Sequence, residues 1–136
     1  MPRLILVVDD HADTVEVYEE MLRDAGFRTY GTTSANDALN MALTKRPAVI
    51  VTDLAMPHLD GWELAALLRS YVETRAIRLV AVSGYTFDFD RYRVPPGGWD
   101  ACLRKPVDLV TLVGTIHALL GDEETVARPR PYAVCP

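Results

Sequence analysis

Apolar positions along this chain follow two spacings in turn, and each change of spacing marks a new element. Leu4 to Val8 is an unbroken apolar run of strand length, stopped by Asp9 and Asp10. From Ala12 the spacing becomes helical: Val15, Tyr18, Leu22 and Ala25 share a face, and Gly26 stands where a helix C-cap belongs. Arg28 to Thr32 predicts a weaker strand interrupted by Gly31. Ser34 is placed to cap a helix carrying Ala35, Ala38, Leu39 and Ala42, with Pro47 soon after its end. Ala48 to Thr52 predicts a third strand that runs directly into Asp53. Asp60 is placed to cap a third helix with Leu64, Leu67 and Leu68 on one side. Ile77 to Val82 predicts a fourth strand ending at Ser83-Gly84, and Ala101 to Arg104 a short fifth followed by Lys105-Pro106. Leu109, Leu112, Val113, Ile116, Leu119 and Leu120 line a final helix, with Gly121 just beyond.

One interval breaks this rhythm. A helix is due between the fourth and fifth strands, but residues 85–100, YTFDFDRYRVPPGGWD, contain Pro95-Pro96-Gly97-Gly98. An interior Pro costs a helix about 3 kcal/mol and a Gly about 1 kcal/mol. That helix, the fourth in order, is therefore expected to be short or missing, within a mobile segment between Gly84 and Trp99. Tyr85, Phe87, Phe89 and Tyr92 in that segment are expected to supply surface for a partner, or in the plainer reading some of them fill the gap left by the helix.

Strands alternating with helices imply a doubly wound α/β fold, with parallel strands joined by right-handed crossovers and helices on both faces. An antiparallel arrangement fits poorly, because no tight hairpin turn joins adjacent strand runs. One domain is expected over residues 1–121, followed by a flexible C-terminal tail over 122–136 that shows no period.

Composition narrows the function. With 14 Lys and Arg against 19 Asp and Glu, the chain carries a net charge of −5 and offers no basic stripe to neutralise nucleic-acid phosphates. No apolar run reaches membrane length, and the opening MPRLILVVDD is too short in apolar residues for a signal peptide, so a cytoplasmic protein without a membrane partner is expected. Cys102 and Cys135 lack metal-ligand spacing and are expected to be reduced thiols.

In such a sheet the ends of strands one, three, four and five share an edge, which gathers Asp9 and Asp10, Asp53, Ser83 and Lys105. Three neighbouring carboxylates raise one another's pKa unless a cation sits among them, and hard oxygen donors with room for water suit Mg²⁺. Lys105 adds a compact positive charge and Ser83 a hydroxyl able to donate to an oxyanion. Together they suit a phosphoryl group with its metal. His11, directly after the acid pair, could lie near the metal but reads rather as a solvated residue at a helix start, His58 as a loop residue, His117 as a last-turn residue, and Trp62 and Trp99 as packing. Neither G-x-G-x-x-G nor G-x-x-x-x-G-K-[ST] occurs, which leaves dinucleotide and NTP binding without their best support.

VVDD (Val7 to Asp10), TDLAMPHLDGWEL (Thr52 to Leu64), VSG (Val82 to Gly84) and KP (Lys105-Pro106), in that order, resemble the receiver domain of two-component response regulators. The resemblance runs from about Leu4 to Leu120 and implies a flavodoxin-like five-stranded sheet in order 2-1-3-4-5. By resemblance Asp53 is the phosphoacceptor, and Asp10 with the Ala55 carbonyl completes the Mg²⁺ shell, with Asp9 acting through water. Ser83 would bond a phosphoryl oxygen and Lys105 would pair with the phosphoryl group. The implied partners are a sensor histidine kinase or histidine phosphotransfer protein and a downstream protein target. The domain would assist its own phosphorylation and dephosphorylation while turning over no free substrate. Two departures stand out: Cys102 occupies the place of the family's switch aromatic, and the Pro/Gly-rich stretch replaces a helix. The alternative from another class is a Mg²⁺-dependent phosphohydrolase. Its signature has a second acid two residues after the nucleophile, where this chain has Ala55.

Overall fold

The computed structural model describes residues 2–56, 59–84 and 98–121. In chain order the elements are β1 (Leu4–Val8), α1 (Ala12–Asp24), β2 (Arg28–Thr32), α2 (Ala35–Lys45), β3 (Val49–Asp53), α3 (Gly61–Ser70), β4 (Arg78–Ser83), β5 (Ala101–Arg104) and α4 (Leu109–Leu120). The strands form one sheet in order β2-β1-β3-β4-β5, and every neighbouring pair is parallel. This is the doubly wound, flavodoxin-like arrangement that the alternation of patterns and the resemblance led one to expect. Among the described residues no helix is long and apolar enough to cross a membrane.

The continuous apolar runs of the central strands are explained by a sheet covered on both faces. Ile5 and Val7 of β1, Val49 and Val51 of β3, and Val80 and Val82 of β4 point into a core shared with Val15, Leu22, Leu112 and Ile116 from α1 and α4. Their neighbours Leu6, Val8, Ile50, Leu79 and Ala81 point the other way, onto Ala38, Ala42, Leu64 and Leu68 from α2 and α3. Alternation along each strand thus divides one apolar run between two cores.

Capping closes the helices as their sequences suggest. The Ser34 side chain accepts from Asp37 N, and Asp108 caps α4 through Thr111 N at 2.7 Å. Asp60 and Glu63 form a reciprocal capping box on α3, with bonds of 2.9 and 3.0 Å. Gly26 follows α1 with φ 98°, and Gly121 closes α4 with φ 73°. The weak second strand keeps its Gly31 because a Cβ there would collide with Val15 on α1 and stand 2.9 Å from Glu19, so the helix lies close over the edge strand.

Two strands shift by a residue: β3 begins at Val49 and takes in Asp53, and β4 runs from Arg78 to Ser83. Cys102 is buried on the α2–α3 side and is disulfide-bonded, which corrects the expectation of a reduced thiol there. Cys135 lies outside the described residues, as do the tail over 122–136, His58, and the 85–97 stretch for which a short or missing helix and a partner surface are expected.

Residues 98–100 lead into β5 and are held by a side chain that pattern reasoning passed over. Arg69, in the last turn of α3, is only 7% exposed and directs all its donors at fixed acceptors. Nε and Nη2 bond the Gly98 carbonyl at 3.2 and 2.6 Å, and Nη2 also meets Asp100 Oδ2 at 3.0 Å. Nη1 bonds the carbonyls of Arg75 and Ile77 at 2.7 and 2.6 Å. Asp100 in turn accepts from Leu79 N on β4 at 2.8 Å. The planar guanidinium therefore ties α3, the approach to β4 and the approach to β5 together.

Candidate functional site

The parallel ladder continues past the strand ends, and this fixes the backbone of the site. Asp9 N bonds Thr32 O, Leu54 N bonds Val82 O, and Lys105 N bonds Ser83 O, at 3.2, 3.2 and 2.8 Å. Asp53 stands opposite Val82 and Ser83 opposite Arg104, so the residues at the carboxyl edge stand level with one another. The structure thereby gathers Asp9, Asp10, Asp53, Ser83 and Lys105 at the same sheet edge. Ser83 is buried at the end of β4.

Lys105 bridges two of the acids. Its Nζ lies 2.9 Å from Asp9 Oδ2 and 3.4 Å from Asp53 Oδ2. Asp9 is 1% exposed, and its other oxygen accepts from His11 N at 2.9 Å. Asp53 Oδ1 accepts from Ala55 N at 3.3 Å. Burial raises the Asp53 pKa above the ordinary carboxylate value; Lys105 opposes this and Asp9 adds to it. For Lys105, burial works to lower the pKa. The bond to Asp9 and the fields of Asp53 and Asp9 outweigh it, and the net shift is upward. Tyr18, on the inner face of α1, lies close enough to feel Lys105, Asp9 and Asp53, and burial raises its pKa. Helical spacing identified Tyr18 as core, and nothing in the sequence marked its place beneath this site.

Asp10 differs from its neighbours. Its Oδ1 is buried and takes part in no hydrogen bond, although His11 Nδ1 lies 3.2 Å away, too poorly aligned to donate. A carboxylate oxygen shielded from water without a donor is suited to a cation. His11 itself is 72% exposed, as expected of a helix-start residue, yet its Nδ1 turns toward both acids, 3.3 Å from Asp9 Oδ1. The donor atoms of Asp9, Asp10 and His11 lie within 4.8 Å of one another. The acid pair thus fits a divalent metal, and the His11 ring beside it stays largely in solvent, as the sequence reading had it.

Residues 5–117 match the response regulator receiver domain. The chain is 29% identical over 122 residues to the polar-differentiation response regulator DivK of Brucella anthropi, an alignment that covers 90% of this chain and 99% of DivK. In structure it is similar to the receiver domain of the sensor histidine kinase PA1611 from Pseudomonas aeruginosa PAO1, with TM-score 0.81 and 25% identity over 90% of this chain and 100% of that one. That receiver domain carries a magnesium ion coordinated in its active-site cleft. A response regulator receiver protein from Pseudomonas putida gives TM-score 0.74 and 30% identity, covering 87% of this chain and 98% of the other. With the fold, the edge constellation and the family match in agreement, this chain belongs to the response regulator receiver domain family.

Proposed function

We propose that this domain is a phosphorylatable switch in which Asp53 accepts a phosphoryl group from the phosphohistidine of a sensor histidine kinase or histidine phosphotransfer protein. The observation that carries this reading is the Asp53 carboxylate at the end of β3, 3.4 Å from the Lys105 ammonium and across that ammonium from Asp9. An Asp53 oxygen attacks phosphorus, the bond between phosphorus and the donor imidazole nitrogen breaks, and the product is an acyl phosphate on Asp53. Asp9, Asp10, Asp53 and the Ala55 carbonyl would hold Mg²⁺, which when bound neutralises charge on the phosphoryl oxygens. Lys105 pairs with the transferred group, and Ser83 donates to one of its oxygens. Desolvation of Asp53 leaves its carboxylate less stabilised by water and a stronger nucleophile than an exposed acid. Output then passes to a downstream protein through a surface that changes on phosphorylation.

The phosphohydrolase alternative requires a second acid two residues after the nucleophile, and Ala55 cannot serve. Acetyl phosphate with Mg²⁺ is expected to add about 80 Da, one HPO₃, to the intact chain. Asp53→Asn is expected to abolish the addition, since an amide is a poor nucleophile and a poor metal ligand. Undiminished labelling of that variant would refute the assignment.

A further inference from the structure

We propose that the C-terminal segment, residues 122–136, is a redox-gated strap: a disulfide between Cys135 and Cys102 closes it over the open edge of β5, and reduction releases it. The inference is independent of phosphoryl transfer at Asp53.

Cys102 lies in β5, is 6% exposed and is disulfide-bonded. The sequence contains two cysteines, so within one chain the partner sulfur is that of Cys135. β5 is the outermost strand of the sheet, paired with β4 on one side, and among the described residues no strand pairs with its other side. α4 packs through Leu112 and Ile116 on the core that contains Leu103, whereas Cys102 belongs to the opposite core with Leu79 and Ala81. A chain that leaves α4 at Gly121 and ends in a bond to Cys102 has to pass from one face of the sheet to the other, and the way round is shortest at the β5 edge. Residues 122–135 reach up to about 46 Å when extended at about 3.3 Å each, several times the roughly 10 Å thickness of a packed sheet layer. Arg128-Pro129-Arg130-Pro131 opposes helix and favours extended backbone, and Tyr132-Ala133-Val134 sets apolar residues next to the cysteine.

The bond joins a core residue to the chain end, and this decides what it controls. When reduced, Cys102 remains a small apolar side chain in the cluster with Trp99, Leu79 and Ala81, so the sheet keeps its core without the bond. Only the strap is released, and with it the cover over the β5 edge. An uncovered edge strand presents backbone N–H and C=O groups to which a partner can add a strand. Closing the strap removes two electrons and two protons from the two thiols, and a low-molecular-weight disulfide accepts them by exchange. The Cys135 thiolate attacks one sulfur of that disulfide and displaces one thiol. The Cys102 thiolate then attacks the Cys135 sulfur of the mixed disulfide and displaces the second thiol.

The test compares the full chain equilibrated with oxidised glutathione and with dithiothreitol. Reduction is expected to raise the intact mass by about 2 Da, one hydrogen per sulfur, with the chain monomeric in both states. Trypsin, which does not cut before proline, yields residues 94–104 and 105–136, expected to be joined in the oxidised chain and separate in the reduced one. Amide hydrogen exchange across Ala101–Arg104 is expected to be about tenfold slower in the oxidised chain. Cys135→Ser, which changes no residue of the packed core, is expected to exchange there at the reduced rate under both conditions. Two free thiols after oxidation, a disulfide-linked dimer, or equal exchange in the oxidised and reduced chains would each overturn the inference and leave the Asp53 assignment untouched.

Discussion

Arg69→Ala removes the side chain that joins α3 to both sheet strands beyond it. The variant leaves the carbonyls of Gly98, Arg75 and Ile77 without this donor and strips Asp100 of its buried partner. Breaking one side of a buried charged network costs about 3–5 kcal/mol. Arg78 provides the internal control, since it reaches the same Asp100 at 3.5 Å but is 52% exposed. Arg78→Ala should therefore cost less than about 1 kcal/mol. Arg69→Lys keeps the charge but cannot span acceptors arranged for a planar fork, and it should recover only a minor part of the loss. Urea unfolding gives the energies, and for a domain of this length the Arg69→Ala loss corresponds to a fall of roughly 10–15 °C in Tm. The clamp holds the approach to β5, and β5 delivers Lys105, so acetyl phosphate labelling of Asp53 should also slow. Equal destabilisation by Arg69→Ala and Arg78→Ala would refute this account.

Three other outcomes follow from the site and its supports. The Asp53 pKa is raised on folding, so the native state binds this proton more tightly than the unfolded chain, and stability from this group falls as pH climbs from 3.8 through the raised value. Asp53→Asn should then raise the urea midpoint at pH 7 relative to wild type and lose that advantage below pH 3.8; an unchanged or lower midpoint at pH 7 would contradict the direction. Lys105→Ala should cost about 2–3 kcal/mol in unfolding free energy, less than for a fully buried pair because the ammonium is partly solvated, while still permitting some labelling of Asp53. Asp60→Ala dismantles the α3 capping box and should cost about 1 kcal/mol by urea unfolding, with Asp60→Asn recovering most of it.

Much of the fold was legible because burial on both faces leaves a coarse imprint. A strand covered on two sides must be apolar without interruption, and a helix covered on one must repeat every three or four residues. Those two signatures located β1, β2 and β5 to the residue and β3 and β4 to within one. The carboxyl-edge acids, Ser83 and Lys105 were legible because chain order alone sends them to the same end of a parallel sheet. What stayed hidden depends on approach in space. The guanidinium of Arg69 meets a carbonyl 29 residues away, and no spacing along the chain announces that meeting. Tyr18 shows its helical face in the sequence, but not which charges lie opposite.

Gly61 carries a consequence for mechanical coupling. Its amide bonds Leu54 O at 3.0 Å, and a Cβ in its place would run into the carbonyl oxygen of Asp53 and come within 2.9 Å of Leu54 Cα. The obstacle is main chain on both sides, which cannot rotate away as a side chain would. The first turn of α3 and the last peptide of β3 are therefore a single rigid joint with no compliant layer between them. Under the switch proposed above, a shift of the Asp53 backbone would press on α3 at this joint, and Arg69 at the helix's far end bonds the segment leading into β5. Asp53 and Lys105, 3.4 Å apart at the sheet edge, are thus joined a second time, the long way round, through Gly61, α3 and the Arg69 clamp.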